Sequence, residues 1–139
     1  MKKLIPLVIV IMSILVMTVK AQEDSPTRTS ATRENVLEDA VIDLLQPQMY
    51  SAVEDYYGTA KEIGFMCQRV IEIKKLDHPG SWMFEVKLEG LTFTGAHNPM
   101  DTFTVTVKSD DTTEGKWVLQ DYQIKKFDPN DRSECRRPA

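Results

Sequence analysis

Residues 65–88, FMCQRVIEIKKLDHPGSWMFEVKL, decide the fold class of this chain. In the second half of the stretch, apolar and polar side chains alternate: Trp82, Phe84, Val86 and Leu88 against Met83, Glu85 and Lys87. An alternation of period two is typical of a β-strand that buries one face. Residues 65–76 are predicted to form an earlier strand, one face of which contains Cys67, Ile71 and Ile73. His78-Pro79-Gly80 then supply the turn between the two strands. The stretch therefore predicts a β-hairpin.

Two more strands are predicted downstream. The first contains the alternating residues Phe103, Val105 and Val107, and the second spans residues 117–127 with one side formed by Val118, Tyr122 and Ile124. The alternation shifts by one position at Gly90, because the next apolar residues are Leu91 and Phe93. A shift at a glycine predicts a β-bulge or a short turn there.

Upstream of the hairpin, the apolar period changes to that of a helix. Thr32 is a suitable N-cap, and apolar residues then recur at three-and-four spacing: Val36, Leu37, Ala40, Val41, Leu44 and Leu45. Pro47 is expected to end or kink this helix. A second helical stretch runs from Pro47 to a natural stop at Gly58, and its apolar side is formed by Met49, Val53, Tyr56 and Tyr57. One kinked helix and two short helices fit the pattern equally well.

Helices followed by consecutive strands predict an α+β fold. We expect one or two N-terminal helices packed on a curved antiparallel sheet of about four strands, in a cystatin-like or nuclear-transport-factor-like arrangement. Residues 32–127 form this single domain, and residues 128–139 form a polar C-terminal tail. The analogy concerns the fold and predicts no activity.

The amino end has the pattern of a signal peptide. Two lysines precede an uncharged stretch from Leu4 to Val19, and a small residue stands at Ala21. We therefore expect residues 1–21 to be cleaved after Ala21 and residues 22–31 to be a flexible lead-in. An uncleaved amino-terminal anchor is the alternative. The expected location is secreted or on the extracellular face of the cell envelope.

Cleavage also changes the charge of the chain. The signal segment carries Lys2, Lys3 and Lys20 and no acidic residue, so its removal takes the formal net charge from −4 to −7. A mature chain this acidic gains nothing from nucleic acid or anionic lipid as a partner. We expect contact with a membrane only through an uncleaved signal peptide.

Two cysteines, Cys67 and Cys135, remain in the mature chain. An exported protein can oxidise them to a disulfide, which would hold the tail against the domain and contribute roughly 4 kcal/mol by the chain-entropy argument. A buried Cys67 with an unrelated thiol on the tail is the alternative.

The most distinctive segment is Gly95-Ala96-His97-Asn98-Pro99, between two predicted strands. Gly95, His97, Asn98 and Pro99 form either a binding loop at the edge of the sheet or a structured turn with local hydrogen bonds. Two histidines without HExxH or CxxC spacing predict no zinc site, and neither acidic stretch has calcium-loop spacing. No GxSxG nucleophile motif is present. The sequence thus suggests no cofactor and no catalytic residue.

With a Leu-rich helix that ends in Tyr56-Tyr57-Gly58, this Gly-Ala-His-Asn-Pro segment resembles a family of small exported proteins from Bacillus-like Gram-positive bacteria. That family is known only as a domain of unknown function, and the resemblance extends from about Val36 to about Lys126. The family segment continues with a second Pro and a Tyr-Gly, where this chain has Met100-Asp101. The resemblance implies export and a shared fold, and it implies no catalytic residues.

Two functions are compatible with these observations. The first is a non-catalytic interaction domain outside the cell that contacts an envelope protein. The second is a small-molecule-binding protein or enzyme with a pocket on the concave face of the sheet near His97. Aromatic side chains on the predicted strands could line such a pocket, but aromatic residues at strand spacing more often belong to the core.

Overall fold

The computed structural model of the protein describes residues 32–131 and 135–139. Its elements are one helix and four strands, with a short 3-10 turn at Asp111–Thr113: α1 (Arg33–Tyr57), β1 (Ile63–Lys75), β2 (Phe84–Thr94), β3 (Asn98–Ser109) and β4 (Val118–Lys126). The strands pair antiparallel in chain order, so each consecutive pair is a hairpin. The predicted α+β class is confirmed: one helix packs on an open four-stranded sheet. The predicted signal peptide, the cleavage at Ala21 and the lead-in at 22–31 lie outside the described residues.

The two ends of α1 form where the sequence predicts them. The Thr32 hydroxyl accepts a hydrogen bond of 3.2 Å from the backbone N–H of Asn35, and Gly58 ends the helix with a φ of 76°. Between these ends α1 is a single helix that continues through Pro47. Pro47 lies on the exposed side, so water can satisfy the carbonyl of Asp43, which the missing N–H leaves unpaired.

In the first half of α1, the face that packs on the sheet is not the predicted one, whereas the predicted grouping of Met49 with Val53 in the second half is confirmed. The buried residues of the helix are Ile42, Leu45, Met49, Ala52 and Val53. Of the predicted stripe only Leu45 belongs to this set, whereas Val36, Leu37 and Leu44 are 50%, 54% and 57% exposed. The helix carries apolar residues on two faces, and packing against the sheet selects the one centred on Leu45 and Met49.

The core lies between α1 and one face of the central strands. Its strand residues occupy alternate positions: Val86 and Leu88 in β2, and Phe103, Val105 and Val107 in β3. The aromatic ring of Phe103 is fully buried and contacts the rings of Phe65, Tyr57 and Tyr122. The predicted strand with Phe103, Val105 and Val107 is confirmed as β3. The strand predicted from Trp82 is confirmed only from Phe84 onward, because Trp82 lies outside β2 and is 87% exposed. The helix-facing side of the sheet is therefore filled by packed side chains.

The predicted bulge at Gly90 is absent from β2, which continues without a change of face. Gly90 and Thr92 are buried on the same side as Leu88, so Leu91 and Phe93 point to the outer face of the sheet. A Cβ at Gly90 would lie 2.8 Å from the ring of Phe65 and 3.1 Å from the terminal methyl of Met49. Gly90 therefore makes room for two side chains of the core.

The register between β2 and β3 shifts instead between Leu91 and Phe93, and the extra residue belongs to β3, because Leu91 pairs with Thr102 and Phe93 with Pro99. Further register shifts occur in the edge strands β1 and β4. In β4 the register shifts so that Thr106 pairs with Asp121 while Val107 pairs with Leu119. Because opposite residues in an antiparallel pair share a face, Leu119 joins the core side and Val118 lies on the outer side. The predicted grouping of Val118 with Tyr122 was wrong for this reason. In β1 the register shifts between Val70 and Glu72, where Ile71 lies, and both Ile71 and Ile73 are exposed.

Candidate functional site

The Gly95–Pro99 segment forms the tight turn between β2 and β3. Thr94 pairs with Asn98, so Gly95-Ala96-His97 is a three-residue turn, with φ of 56° at Gly95 and 64° at His97. The four predicted binding-loop residues, Gly95, His97, Asn98 and Pro99, are all exposed. The segment therefore has the geometry of a structured turn, and its role in binding stays a prediction.

The His97 imidazole rests on a neighbouring aromatic ring. It stacks on Phe93 with 4.7 Å between ring centroids and 22° between planes. The Phe93 ring lies over Gly64 in β1, where a Cβ would come within 2.6 Å of it. This contact fixes the imidazole on the outer face of the sheet, away from the helix side.

A buried polar cluster lies behind the turn, on the helix side of the sheet. The Asp101 side chain, at the start of β3, accepts hydrogen bonds from the hydroxyl of Tyr57 at 2.5 Å and from the ammonium of Lys126 at 3.1 Å. The Thr92 hydroxyl donates to the Asp101 carbonyl at 2.9 Å and accepts from the Asp101 N–H at 3.1 Å. Asp101 is only 3% exposed, yet its carboxylate is paired on both oxygens.

This cluster ties the C-terminal end of α1 to the strands that carry the turn. Burial, followed by the hydrogen bond to Asp101, raises the pKa of the Tyr57 phenol to about 12. The sequence analysis noted Asp101 only as a departure from a family pattern. The signal that could have found it is its position, two residues before the buried Phe103 and so on the same face of the strand.

Cys67 and Cys135 lie at disulfide distance, with 4.6 Å between their Cα atoms. Cys67 occupies the irregular part of β1 and has a φ of 56°. The predicted proximity of the two cysteines is thus confirmed. A cysteine pair at this distance is typical of proteins that work in an oxidising compartment.

Beyond Cys135, the end of the tail lies against α1. The Arg136 guanidinium is 3.3 Å from the Glu38 carboxylate and pairs with Asp39, while the backbone N–H of Ala139 donates to Asp39 at 2.7 Å. Hydrogen bonds from these two donors lower the pKa of Asp39, and the bond from the Ala139 N–H has the larger effect. Glu38 also accepts a hydrogen bond of 2.8 Å from the Val70 N–H in β1. The tail is therefore held across the edge strand to the helix.

A groove separates α1 from β1 beside this tail. It has a volume of about 390 Å³, and its lining includes Asp39, Asp43, Gln46, Gln68, Arg136 and Pro138. We name it the α1–β1 groove. The Gln46 side-chain amide donates to the Gln68 side-chain oxygen at 2.9 Å. The remaining amide atoms of this pair, Gln46 Oε1 and Gln68 Nε2, are buried and have no hydrogen-bond partner.

A second, smaller cavity of about 190 Å³ lies between the outer face of the sheet and the tail. Two ion pairs occupy its rim, Arg69 with Glu89 at 2.6 Å and Lys125 with Asp131 at 3.1 Å. Neither this cavity nor the α1–β1 groove is lined by His97. The predicted turn residues Gly95, His97, Asn98 and Pro99 thus line neither of these two cavities.

The outward side of α1 is a further distinctive surface. Four apolar residues turn away from the sheet and are exposed, and we name them the outward stripe: Val36, Leu37, Ala40 and Leu44. Six acidic residues and a single basic one, Arg33, share the helix with them: Glu34, Glu38, Asp39, Asp43, Glu54 and Asp55. The sequence analysis found the apolar residues of the stripe but assigned them to the core, and it did not identify Asp39, Asp43, Gln46 or Gln68.

Two searches over the described part of the chain limit the chemistry. Within residues 32–131 and 135–139, no group of three or more His, Cys, Asp or Glu side chains could hold a metal ion. The same residues contain no helix that is long and apolar enough to cross a membrane.

Comparison with known proteins gives one match. A family model described as "Protein of unknown function (DUF3888)" matches residues 37–125. No curated protein and no solved structure matches the chain. The match does not test the predicted bacterial origin or the link between the family and the Gly95–Pro99 segment, and both stay predictions.

Proposed function

The chain belongs to the DUF3888 family of proteins of unknown function, and from its own surfaces we propose that it is an exported, non-catalytic interaction domain that binds a protein partner. The outward stripe of α1 is the observation that carries this proposal. A helix that packs on a sheet with one face normally presents polar residues on the other. Here Val36, Leu37 and Leu44 are each at least half exposed on that other face.

A partner would gain from covering the stripe. Burying the exposed half of three such side chains would contribute about 2 to 4 kcal/mol, before the costs of association. Glu38 and Asp39 already pair with Arg136 of the tail. Glu34 and Asp43 are the other acidic residues on the half of α1 that carries the stripe, so a partner with basic groups around an apolar patch is the complementary one. This combination favours a protein surface over an anionic lipid or a nucleic acid.

Export is supported by two features. The uncharged stretch from Leu4 to Val19 behind two lysines has the pattern of a signal peptide. The disulfide distance between Cys67 and Cys135 suits an oxidising environment outside the cytoplasm. If both hold, protein recovered from the medium begins at Gln22 and is lighter than the reduced chain by two hydrogens, which an intact mass measures.

A non-catalytic role is supported by how the polar groups are used. The carboxylate of Asp101 is engaged by Tyr57 and Lys126, which accounts for it as a structural link between helix and sheet. The imidazole of His97 is exposed and stacked on Phe93. It lines neither of the two cavities described above. No observation favours a pocket beside His97, so we do not carry that alternative forward.

Site-specific photocrosslinking in the producing cell tests the proposal. A photoreactive residue is placed at Leu37 or Leu44 in the outward stripe, and at Val118 as an exposed apolar control on β4. We expect a discrete adduct with another protein from the two stripe positions and none from the control. The absence of stripe adducts, equal adducts from all three positions, or an adduct of twice the chain mass would each overturn the assignment of a separate partner to this face.

A further inference from the structure

We propose that residues 135–139, Cys-Arg-Arg-Pro-Ala, form a strap whose position is controlled by the redox state of Cys67 and Cys135. While the disulfide is closed, the strap covers an acidic side of α1 beside the outward stripe, and reduction of the bond uncovers it. The inference rests on the proposed function, because it adds a regulation to the surface that the partner binds.

The contacts between the strap and the described domain are polar. The Arg136 guanidinium lies 3.3 Å from the Glu38 carboxylate, pairs with Asp39 and donates to the backbone carbonyl of Gln68 at 3.4 Å. The Ala139 N–H donates to Asp39 at 2.7 Å. None of the five strap residues is buried, so apolar packing does not hold the strap in place.

These contacts are too weak to order the strap without the disulfide. Ordering the backbone of one residue costs more free energy than a partly exposed ion pair returns, and the strap has four residues beyond Cys135. The bond to Cys67 fixes one end of the strap and so raises the effective concentration of Arg136 at α1. The disulfide therefore decides whether the strap is closed.

The bond lies where a thiol can reach it. Cys135 is exposed, and both cysteines line the cavity of about 190 Å³ on the outer face of the sheet. Cys67 has a φ of 56° although it lies within β1. A non-glycine residue in the left-handed region is held there by its surroundings, and such residues are typical of switch regions.

The opening step requires a protein dithiol as the reductant. A thiolate of the reductant attacks Cys135 Sγ, the bond between the two sulfurs breaks, and its electron pair goes to Cys67 Sγ, which takes up a proton. The second thiol of the reductant attacks the reductant's own sulfur in this mixed disulfide and releases Cys135, which is also protonated. The reductant leaves as a disulfide, so two electrons and two protons have passed to the chain.

Release of the strap frees a carboxylate on one flank of the outward stripe. Asp39 lies three residues after Val36 on α1, so the two side chains are neighbours on the helix surface. In the closed strap Asp39 is paired with Arg136, whereas Glu38 also accepts the Val70 N–H. A partner with basic groups must compete with Arg136 for Asp39, and the closed strap therefore weakens its binding.

The first test measures strap closure by NMR on the full mature chain, labelled with ¹³C and ¹⁵N. In the oxidised chain the hydrogen bond from the Ala139 N–H is the largest cause that lowers the pKa of Asp39. In Cys135→Ser we expect the pKa of Asp39 to rise towards the ordinary value of an aspartate and the Ala139 amide to become mobile. Dithiothreitol at neutral pH should mobilise the same amide in the wild-type chain.

Asp110 is the internal control for this titration. Its pKa is lowered to about 2 by hydrogen bonds outside the strap, the largest effect being that of Lys108. This pKa should be the same in the oxidised wild-type chain and in Cys135→Ser. An Asp39 pKa and an Ala139 amide that do not respond to opening of the bond would overturn the strap.

The second test uses the crosslink from Leu44 in the producing cell and relates strap closure to partner binding. We expect Cys135→Ser to give about fivefold more adduct per exported chain than the wild-type chain, the factor for one additional partly exposed ion pair. Deletion of residues 136–139 keeps the disulfide and removes the rest of the strap, so it should give the same increase. Arg137→Gln removes a charge from an exposed strap residue and should give none.

The four chains separate masking by the strap from an effect of the disulfide on stability. Equal adduct from all four, or an increase with Cys135→Ser that the deletion does not reproduce, would overturn the regulation. The absence of any adduct from Leu44 would instead contradict the proposed function, while the NMR test would still report on the strap. The two failures are therefore distinguishable.

Discussion

The hydroxyl of Tyr57 donates a hydrogen bond of 2.5 Å to the carboxylate of Asp101, which joins the last residue of α1 to β3. Asp101 is buried and also pairs with Lys126. The helix and the strands beside the β2–β3 turn are therefore held together by a polar link as well as by the apolar core.

Removing this link should destabilise the domain. Tyr57→Phe deletes the donor and leaves a buried carboxylate with one partner fewer, and we expect a loss of about 1 to 3 kcal/mol in the free energy of unfolding. Urea unfolding measures the loss. Tyr50→Phe is the matched control, since within the described residues the Tyr50 hydroxyl has no hydrogen bond and its ring packs on Phe65. A Tyr57→Phe variant as stable as the Tyr50→Phe variant would show that the hydrogen bond between Tyr57 and Asp101 does not contribute to stability.

The same contact predicts a loss of stability at alkaline pH. The pKa of Tyr57 is about 12 in the folded chain and about 10 in the unfolded chain, so the fold favours the neutral phenol. Its contribution is fully present below pH 10 and is lost as the pH rises from about 10 to about 12. Unfolding followed at several pH values should show this decline. The Tyr57→Phe chain should lose less stability than the wild-type chain between pH 10 and pH 12, because it has no phenol to ionise at this position. An identical alkaline loss of stability in both chains would contradict the raised pKa of Tyr57.

Gly90 is predicted to be intolerant of a side chain. In Gly90→Ala the new methyl would lie 2.8 Å from the Phe65 ring and 3.1 Å from the Met49 methyl. We expect a cost of about 1 to 3 kcal/mol, the usual range for overpacking a core. Thermal or urea unfolding tests it against Gly80→Ala, where the methyl would meet only the His78 ring at 3.3 Å. Equal stability of the two variants would mean that β2 moves away from α1 at low cost.

A disulfide between Cys67 and Cys135 should be a major source of stability. The bond would close a loop with a sequence separation of 68 residues, and the chain-entropy argument gives about 4 kcal/mol for a loop of that size. We expect dithiothreitol to lower the free energy of unfolding by about 2 to 4 kcal/mol. A Cys67→Ser chain should start at the lower stability and show no further response. If the wild-type chain is also unresponsive to the reductant, the cysteines are not bridged in solution.

The elements that the sequence predicts well depend on local signals. The caps at Thr32 and Gly58 and the alternation in β3 need only neighbouring residues, and the structure confirms them. The packed face in the first half of α1 could not be predicted in this way, because that half has two apolar faces. Contacts that are distant in sequence, such as Met49 against Gly90, select one of them.

The candidate surfaces depend still more on distant contacts. The α1–β1 groove forms where the tail crosses from Cys135 to Asp39, close to a hundred positions away in the chain. No window of sequence contains both sides of it. The bulge in β4 that moves Val118 to the outer face likewise follows from pairing with β3. By contrast, the Gly95–Pro99 turn was correctly located, because a glycine and a proline between two alternating strands are a local signal.

The central claim, that a partner protein covers the outward stripe, is tested most directly by the crosslink formed from Leu44 in the presence of a second substitution. Leu37→Glu puts a charge into the stripe, while Val118→Glu makes the equivalent change at an exposed valine on β4. The account predicts that the Leu44 adduct disappears with Leu37→Glu and persists with Val118→Glu, with both chains folded and exported. An adduct that survives Leu37→Glu unchanged would contradict the assignment of the stripe as the binding surface.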